Sequence, residues 1–225
     1  MSIANIVIEK DRALIGVDTL VGYMAEGRHL LDEEVQYRGR HSGKLSLFPQ
    51  INSAMTHRGD GLLTSLARLN LESSCPHDFD EAVEMMPSIL SGAYTHATAT
   101  RKQSTGIEAF PGAEVVLVGW SPRYSRFLAV RWCRYPGYDD FTESYVDKRL
   151  LLPEIDRVQE VQTPDTDAKM EALVRDQVIW AASEHPDLTC GGRLMMAELT
   201  QGAVNVRTIA DLEKPAPFSQ RVNHA

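Results

Sequence analysis

The stretch Asp187-Leu188-Thr189-Cys190-Gly191-Gly192 sets a carboxylate and a thiol close together, directly ahead of two glycines. A plain loop needs one glycine, and a zinc site would need about four ligands rather than one cysteine. Other residues with chemical potential resolve into weaker patterns. The segment 39–46, GRHSGKLS, resembles a phosphate-binding loop, but three residues separate Gly39 from Gly43 where that motif needs four. Leu45 also stands where the motif's magnesium-holding Ser or Thr belongs. Cys75-Pro76-His77 offers one thiol and one imidazole with no partner pair nearby, and Arg58-Gly59-Asp60 has no extracellular context. Cys75, Cys133 and Cys190 are odd in number and widely spaced, so they read as reduced thiols, neither a disulfide framework nor a metal set.

The composition narrows the setting in which any of these residues would act. The 225 residues suffice for one well-buried domain, with 43% apolar and 24% charged residues. A formal charge of −8 with no basic stripe argues against nucleic-acid binding. No apolar run approaches the roughly 20 residues of a membrane span, and the N-terminus lacks the basic start and apolar stretch of a signal peptide. The expectation is a cytoplasmic protein with no membrane or nucleic-acid partner.

The elements that must position the chemistry follow from periodicity. IANIVIE and RALIGVD flank Lys10-Asp11 and predict a tight antiparallel hairpin. Residues 19–43 are polar, and strand-like KLSLF and INSAMT follow around Pro49-Gln50. Leu62, Leu63, Leu66 and Leu69 recur at helical spacing after Gly61. In a second helix Asp78 is placed to cap the first turn, Phe79, Ala82, Val83, Met86 and Leu90 share a face, and Pro87 predicts a kink or break. That helix also carries Met85, Met86 and Ile89 together, more apolar surface than one inward stripe requires, which suggests a subunit contact. Strands AEVVLVGW and RFLAVRW surround a Ser121-Pro122 turn, and a third helix spans about 167–184. GRLMMAEL and AVNVRTI close the chain ahead of a polar tail from about 214, while residues 134–163 form a divergent segment with no clear reading. Strands, two helices, strands, one helix, strands is not the alternation of a doubly wound parallel sheet. The fold class expected is α+β, one domain over 1–225, with two antiparallel sheets face to face and helices outside.

This order, together with Asp187-x-x-Cys190-Gly191-Gly192, resembles the β-type peptidase subunits of the proteasome, which are N-terminal-nucleophile hydrolases. Cys190 stands where their late motif has Ser. In that family a nucleophilic Thr opens strand one and an Asp closes strand two sixteen residues on; counting back from Asp18 lands on Ser2 without a gap. Lys44 in GKLSL matches the family's Lys at the start of the third strand, and AMTHRGDG (54–61) occupies the turn that donates the oxyanion-hole amide. The resemblance covers roughly residues 2–130 and 165–210. His57 and Arg58 stand where the family carries small residues, which narrows or charges the mouth of the substrate pocket. A further active-site Ser of the family cannot be placed, because 134–163 do not align.

The resemblance implies a four-layer αββα sandwich and amide or peptide hydrolysis by Ser2, without metal or organic cofactor. A serine hydroxyl needs an adjacent base, and an α-amine, with an ordinary pKa of about 7.7–8, can serve on the same residue once Met1 is removed. Lys44 would favour the deprotonated hydroxyl, Asp18 would hold Lys44, and Asp187 and Cys190 would orient the amine. Backbone N–H groups around His57, Arg58 and Gly59 would hold the oxyanion. The family also implies ring association, here as a homo-oligomer larger than a dimer, and the sequence does not say whether an ATPase is a partner. Two alternatives stand beside this reading: a catalytically inactive subunit that serves assembly, and a hydrolase of small amides rather than peptides.

Overall fold

The computed structural model describes residues 2–20, 22–25, 28–31, 43–106, 110–155, 163–184 and 190–212. In chain order, β1 (Ala4–Ile8) and β2 (Arg12–Asp18) are followed by β3 (Gly22–Ala25), β4 (Arg28–Leu31) and β5 (Leu45–Phe48). A 3-10 turn over Pro49–Ile51 leads to β6 (Ser53–Gly59), α1 (Gly61–Ser74) and α2 (Phe79–Thr105). Then come β7 (Ala113–Ser121), β8 (Arg126–Arg134), β9 (Thr142–Val146), β10 (Arg149–Leu152), α3 (Asp167–Glu184), β11 (Arg193–Thr200) and β12 (Ala203–Asp211).

Two five-stranded antiparallel sheets result, ordered β10-β1-β2-β11-β12 and β5-β6-β7-β8-β9, with β3-β4 as a separate hairpin. Both faces of the larger sheets are covered, so strand interiors read as unbroken apolar runs. Along β7, Val116 and Val118 enter the core between the two sheets while Val115 and Leu117 face the other way. That inter-sheet core joins Ile6, Ile15 and Val17 of the first sheet to Ala54, Val116, Val118 and Phe127 of the second. A second core sets Met55, Val115, Leu117 and Trp132 against Leu63, Leu71, Phe79, Met86 and Leu90 of α1 and α2. A third sets Val7, Leu14, Leu194 and Met196 against Met170, Val174 and Val178 of α3. The fold is α+β, two antiparallel sheets with three helices.

Three expectations need correction. Pro87 neither kinks the helix into two elements nor ends it: α2 is continuous for 27 residues. The proline is exposed while Met86, Ile89 and Leu90 around it are buried, so packing on one face holds the helix while the lost N–H faces solvent. The apolar excess of the same helix is internal, since Met86 and Ile89 are buried and Met85 packs against the same core. The segment 134–163, without a clear reading from its residue pattern, holds β9 and β10 within its described part, and the chain crosses from one sheet to the other at Asp147-Lys148 between them. The polar tail from 214 lies outside the described residues.

Candidate active site

The first hairpin places Asp18 at the end of β2, fully buried. A buried carboxylate is tolerable only if its lone pairs are met, and here they are. Oδ1 accepts the Ile3 backbone N–H at 2.8 Å and the Lys44 Nζ at 2.8 Å; Oδ2 accepts the Gly191 N–H at 3.0 Å. One side chain thereby ties the start of β1, the entry to β5 and the entry to β11. Lys44, 4% exposed, also donates to the Leu20 carbonyl at 2.5 Å. Because Ile3 N and Lys44 Nζ share one oxygen, they are separated by at most twice that contact, and Ser2 is the residue next to Ile3. Ser2 itself is half-buried.

The glycine pair has a local reason. Gly191 (φ 138°) and Gly192 (φ 76°) both adopt backbone conformations that disfavour a side chain. They fold the chain against the end of β2, where the Gly191 carbonyl accepts from Thr19 N and Leu20 N and the Gly192 carbonyl from Leu212 N. Cys190 is buried among Ile3, Val178 and Leu194. Burial, then the Asp18 charge, pushes its thiol up to about 11 against the opposing pull of Lys44 and Arg58, so it is a neutral thiol at ordinary pH. Asp187 lies outside the described residues.

His57, Arg58 and Gly59 form the last three residues of β6, which the sequence had ended at Thr56. Asp60 N donates to the Gly112 carbonyl, continuing the β6–β7 ladder. Antiparallel alternation therefore turns the N–H groups of Gly59 and His57 away from β7, on the side where β5 begins only at Leu45, opposite Thr56. Gly59 has φ +86°, and a Cβ there would lie 2.3 Å from the Gly112 carbonyl oxygen. Gly59→Ala is expected to cost about 2–3 kcal/mol through strain and clash, read as a lowered urea midpoint; an unchanged midpoint would refute this close approach. Asp60 then caps α1, accepting from Leu62 N and Leu63 N at 2.9 and 3.0 Å, and ion-pairs with Arg101 of α2.

His57 is half-buried at the residue level, and its Nδ1 is buried without a hydrogen-bond partner among the described residues. Desolvation, with the Lys44 ammonium adding to it, lowers the imidazole to about 4, so the ring is neutral at physiological pH. An unfolded His57 takes up a proton below about pH 6.5, whereas the folded ring does so only near pH 4. Its contribution to stability is complete above pH 6.5 and is lost as the pH falls toward 4. His57→Asn should therefore show a shallower loss of stability across that window than the parent chain, and equal slopes in urea titrations would contradict it.

One residue beside the predicted site escaped the sequence reading. Glu114 of β7 is 6% exposed and pairs with Arg58 Nη1 at 3.3 Å and Arg131 Nε at 2.7 Å. The signal was available: a lone carboxylate inside the apolar run AEVVLVGW must find cationic partners if that run is buried.

No protein-family model matches the chain, and no curated protein matches it. Solved structures do. The Anbu (Gly-1) mutant from Hyphomicrobium sp. strain MC1 aligns with a TM-score of 0.55 at 12% identity, over 99% of this chain and 91% of that one. Anbu (ancestral beta-subunit) from Yersinia bercovieri aligns with a TM-score of 0.56 at 14% identity, over 92% of this chain and 87% of that one. At such identity the likeness shows the fold alone: the described residues of this chain share the fold of these Anbu proteins.

Proposed function

We propose that this chain is a proteasome-like amide or peptide hydrolase of the N-terminal-nucleophile type, built as one four-layer αββα domain and acting in the cytoplasm. The observation that supports it is the Asp18 carboxylate, which gathers Ile3 N–H, Lys44 Nζ and Gly191 N–H at the root of the N-terminus. With Met1 removed, the Ser2 α-amine takes the hydroxyl proton as Oγ adds to the substrate carbonyl carbon. The Lys44 ammonium lowers the cost of the oxygen's developing negative charge, and Asp18 fixes Lys44 in place. The N–H groups of His57 and Gly59 that point away from β7 are suited to receive the oxyanion. Collapse of the tetrahedral adduct breaks the C–N bond, the α-ammonium returns its proton to the leaving amine, and water then cleaves the Ser2 ester by the same base. Cys190, held as a thiol, and Asp187 would orient the amine.

The fold shared with a protein described as a β-subunit supports association of copies of this chain into an oligomer, whose size and partner ATPase are separate questions. The α2 residues Met85, Met86 and Ile89 do not supply that contact. Intact-mass measurement on protein isolated from its native host is expected to show the loss of one methionine, and the trimmed chain to release the reporter amine from peptide anilides. Retained Met1 with no turnover would instead favour the alternative of a non-catalytic assembly subunit.

A further inference from the structure

From Ile3 to Val7 the chain presents Ile3, Asn5 and Val7 to α3 in alternation, and Asn5 is fully buried there between two apolar neighbours. Facing it is Gln177 of α3, also fully buried. Their amides pair reciprocally: Asn5 Nδ2 donates to Gln177 Oε1 at 2.7 Å, and Gln177 Nε2 donates to Asn5 Oδ1 at 3.0 Å. Backbone at the end of β10 meets both side chains. Leu152 N–H donates to Asn5 Oδ1 at 3.1 Å, and the Pro153 carbonyl accepts from Gln177 Nε2 at 3.1 Å. Because an N–H only donates and a carbonyl only accepts, these two backbone groups fix which way each amide points. Gly16, the register partner of Asn5, supplies the room: a Cβ there would lie 2.7 Å from Met170 Sδ of α3.

The other inward residues of α3, Met170, Leu173, Val174, Val178 and Ala181, are apolar. Apolar contact is non-directional, so these alone would let the helix sit one residue's rise, about 1.5 Å, higher or lower along the strand. β10 offers Leu150, Leu151 and Leu152 in a row, a pattern that tells one register from the next poorly. In any shifted seat the Asn5 and Gln177 amides would be buried and unpaired. The polar pair therefore specifies the position that apolar packing leaves open. That position matters at the other end of the helix. α3 closes at Glu184, and Cys190 and Gly191 follow shortly after it, with Gly191 N–H on Asp18 Oδ2. Ile3 N–H, at the root of the strand that carries Asn5, holds Asp18 Oδ1. Strand, amide pair, helix, corner and Asp18 thus form one closed circuit of contacts around the N-terminus.

Building on the hydrolase reading above, we infer that Asn5 and Gln177 are positioning residues for the reaction: their amide pair sets how far α3 lies along β1, and so where Cys190 and Gly191 meet Ser2. They act through the corner that the helix delivers. Misplacing a reacting group by about 1 Å is enough to cost about a hundredfold in rate.

Two variants of the full chain separate positioning from plain stability. Gln177→Met removes the directional bonds at nearly constant volume. Leu173→Ala destabilises the same helix through a cavity and leaves the amide pair in place. Amide hydrogen exchange is read at Gly191 and at Leu117, deep in the second sheet. In Gln177→Met, Gly191 is expected to lose at least about tenfold more protection than Leu117, whereas in Leu173→Ala the two fall together. With peptide anilides, kcat of Gln177→Met should fall about tenfold to a hundredfold at a KM within about twofold of the parent's, and Leu173→Ala should keep its kcat. If Gln177→Met fails to fold, Gln177→Glu, which keeps the acceptor for Asn5 Nδ2, provides the same comparison. Equal loss at Gly191 and Leu117, or a kcat no lower than that of Leu173→Ala, overturns the inference. A parent without turnover sinks the hydrolase reading, and selective loss at Gly191 then still upholds the placement of α3 by the pair. Turnover by the parent with no selective loss at Gly191 does the reverse.

Discussion

Ser2→Ala is expected to abolish peptide-anilide hydrolysis, by roughly a hundred-thousand- to a million-fold, the scale seen when a serine nucleophile is removed from an otherwise intact site. The same change should leave the thermal midpoint where it was. Ser2 is only half-buried, and the contact that anchors this end of β1 is made by the next residue, whose backbone N–H donates to Asp18. A surviving activity would mean that another group attacks the substrate. A large loss of stability would mean that Ser2 is structural. The nucleophile reading requires lost turnover and kept stability together, measured on protein whose N-terminus has been confirmed by mass.

Lys44→Met is expected to produce the opposite balance, with a large stability loss accompanying the loss of activity. Asp18 is fully buried and its Oδ1 has Lys44 as its one cationic partner among the described residues. Removing one member of such a pair strands the other charge, at about 3–5 kcal/mol. For a chain of this length that corresponds to a fall of roughly 6–20 °C in Tm. Adding Asp18→Asn to Lys44→Met should recover much of the stability, because no charge is then left buried, yet turnover should stay lost. Stability in the double variant that is no better than in the single one would refute the account of Lys44 as the counter-charge of Asp18.

The parts of this architecture that were legible in the sequence are those where local pattern and burial agree. The Lys10-Asp11 hairpin, the Asp78 cap and the span of α3 all fall where composition places them. β9 was illegible because four of its five residues are exposed at the edge of its sheet, which removes the apolar alternation a strand is recognised by. β10 was too short and too uniformly buried to tell from a helix fragment. Pro87 misled because propensity is a local quantity, and the buried face of α2 outweighs one missing hydrogen bond. The family resemblance singled out Asp18 and Lys44, which do pair, but not Glu114, whose partnership with Arg58 is a cross-strand register that spacing cannot express.

The Asp18 cradle also has a place in time. Asp18 receives Gly191 from 173 positions further along, and β1 is flanked by β10, so the first sheet cannot close until most of the polypeptide has emerged from the ribosome. At synthesis rates of about 5–20 residues per second, that interval is on the order of ten to thirty seconds. Throughout it the Asp18 corner lacks its Gly191 contact, so on the hydrolase reading proposed above an aminopeptidase would reach Met1 before that corner forms. Once β11 zips onto β2, the corner shuts around whatever residue then stands first. On the hydrolase reading proposed above, topology would therefore schedule maturation, with trimming early and enclosure late.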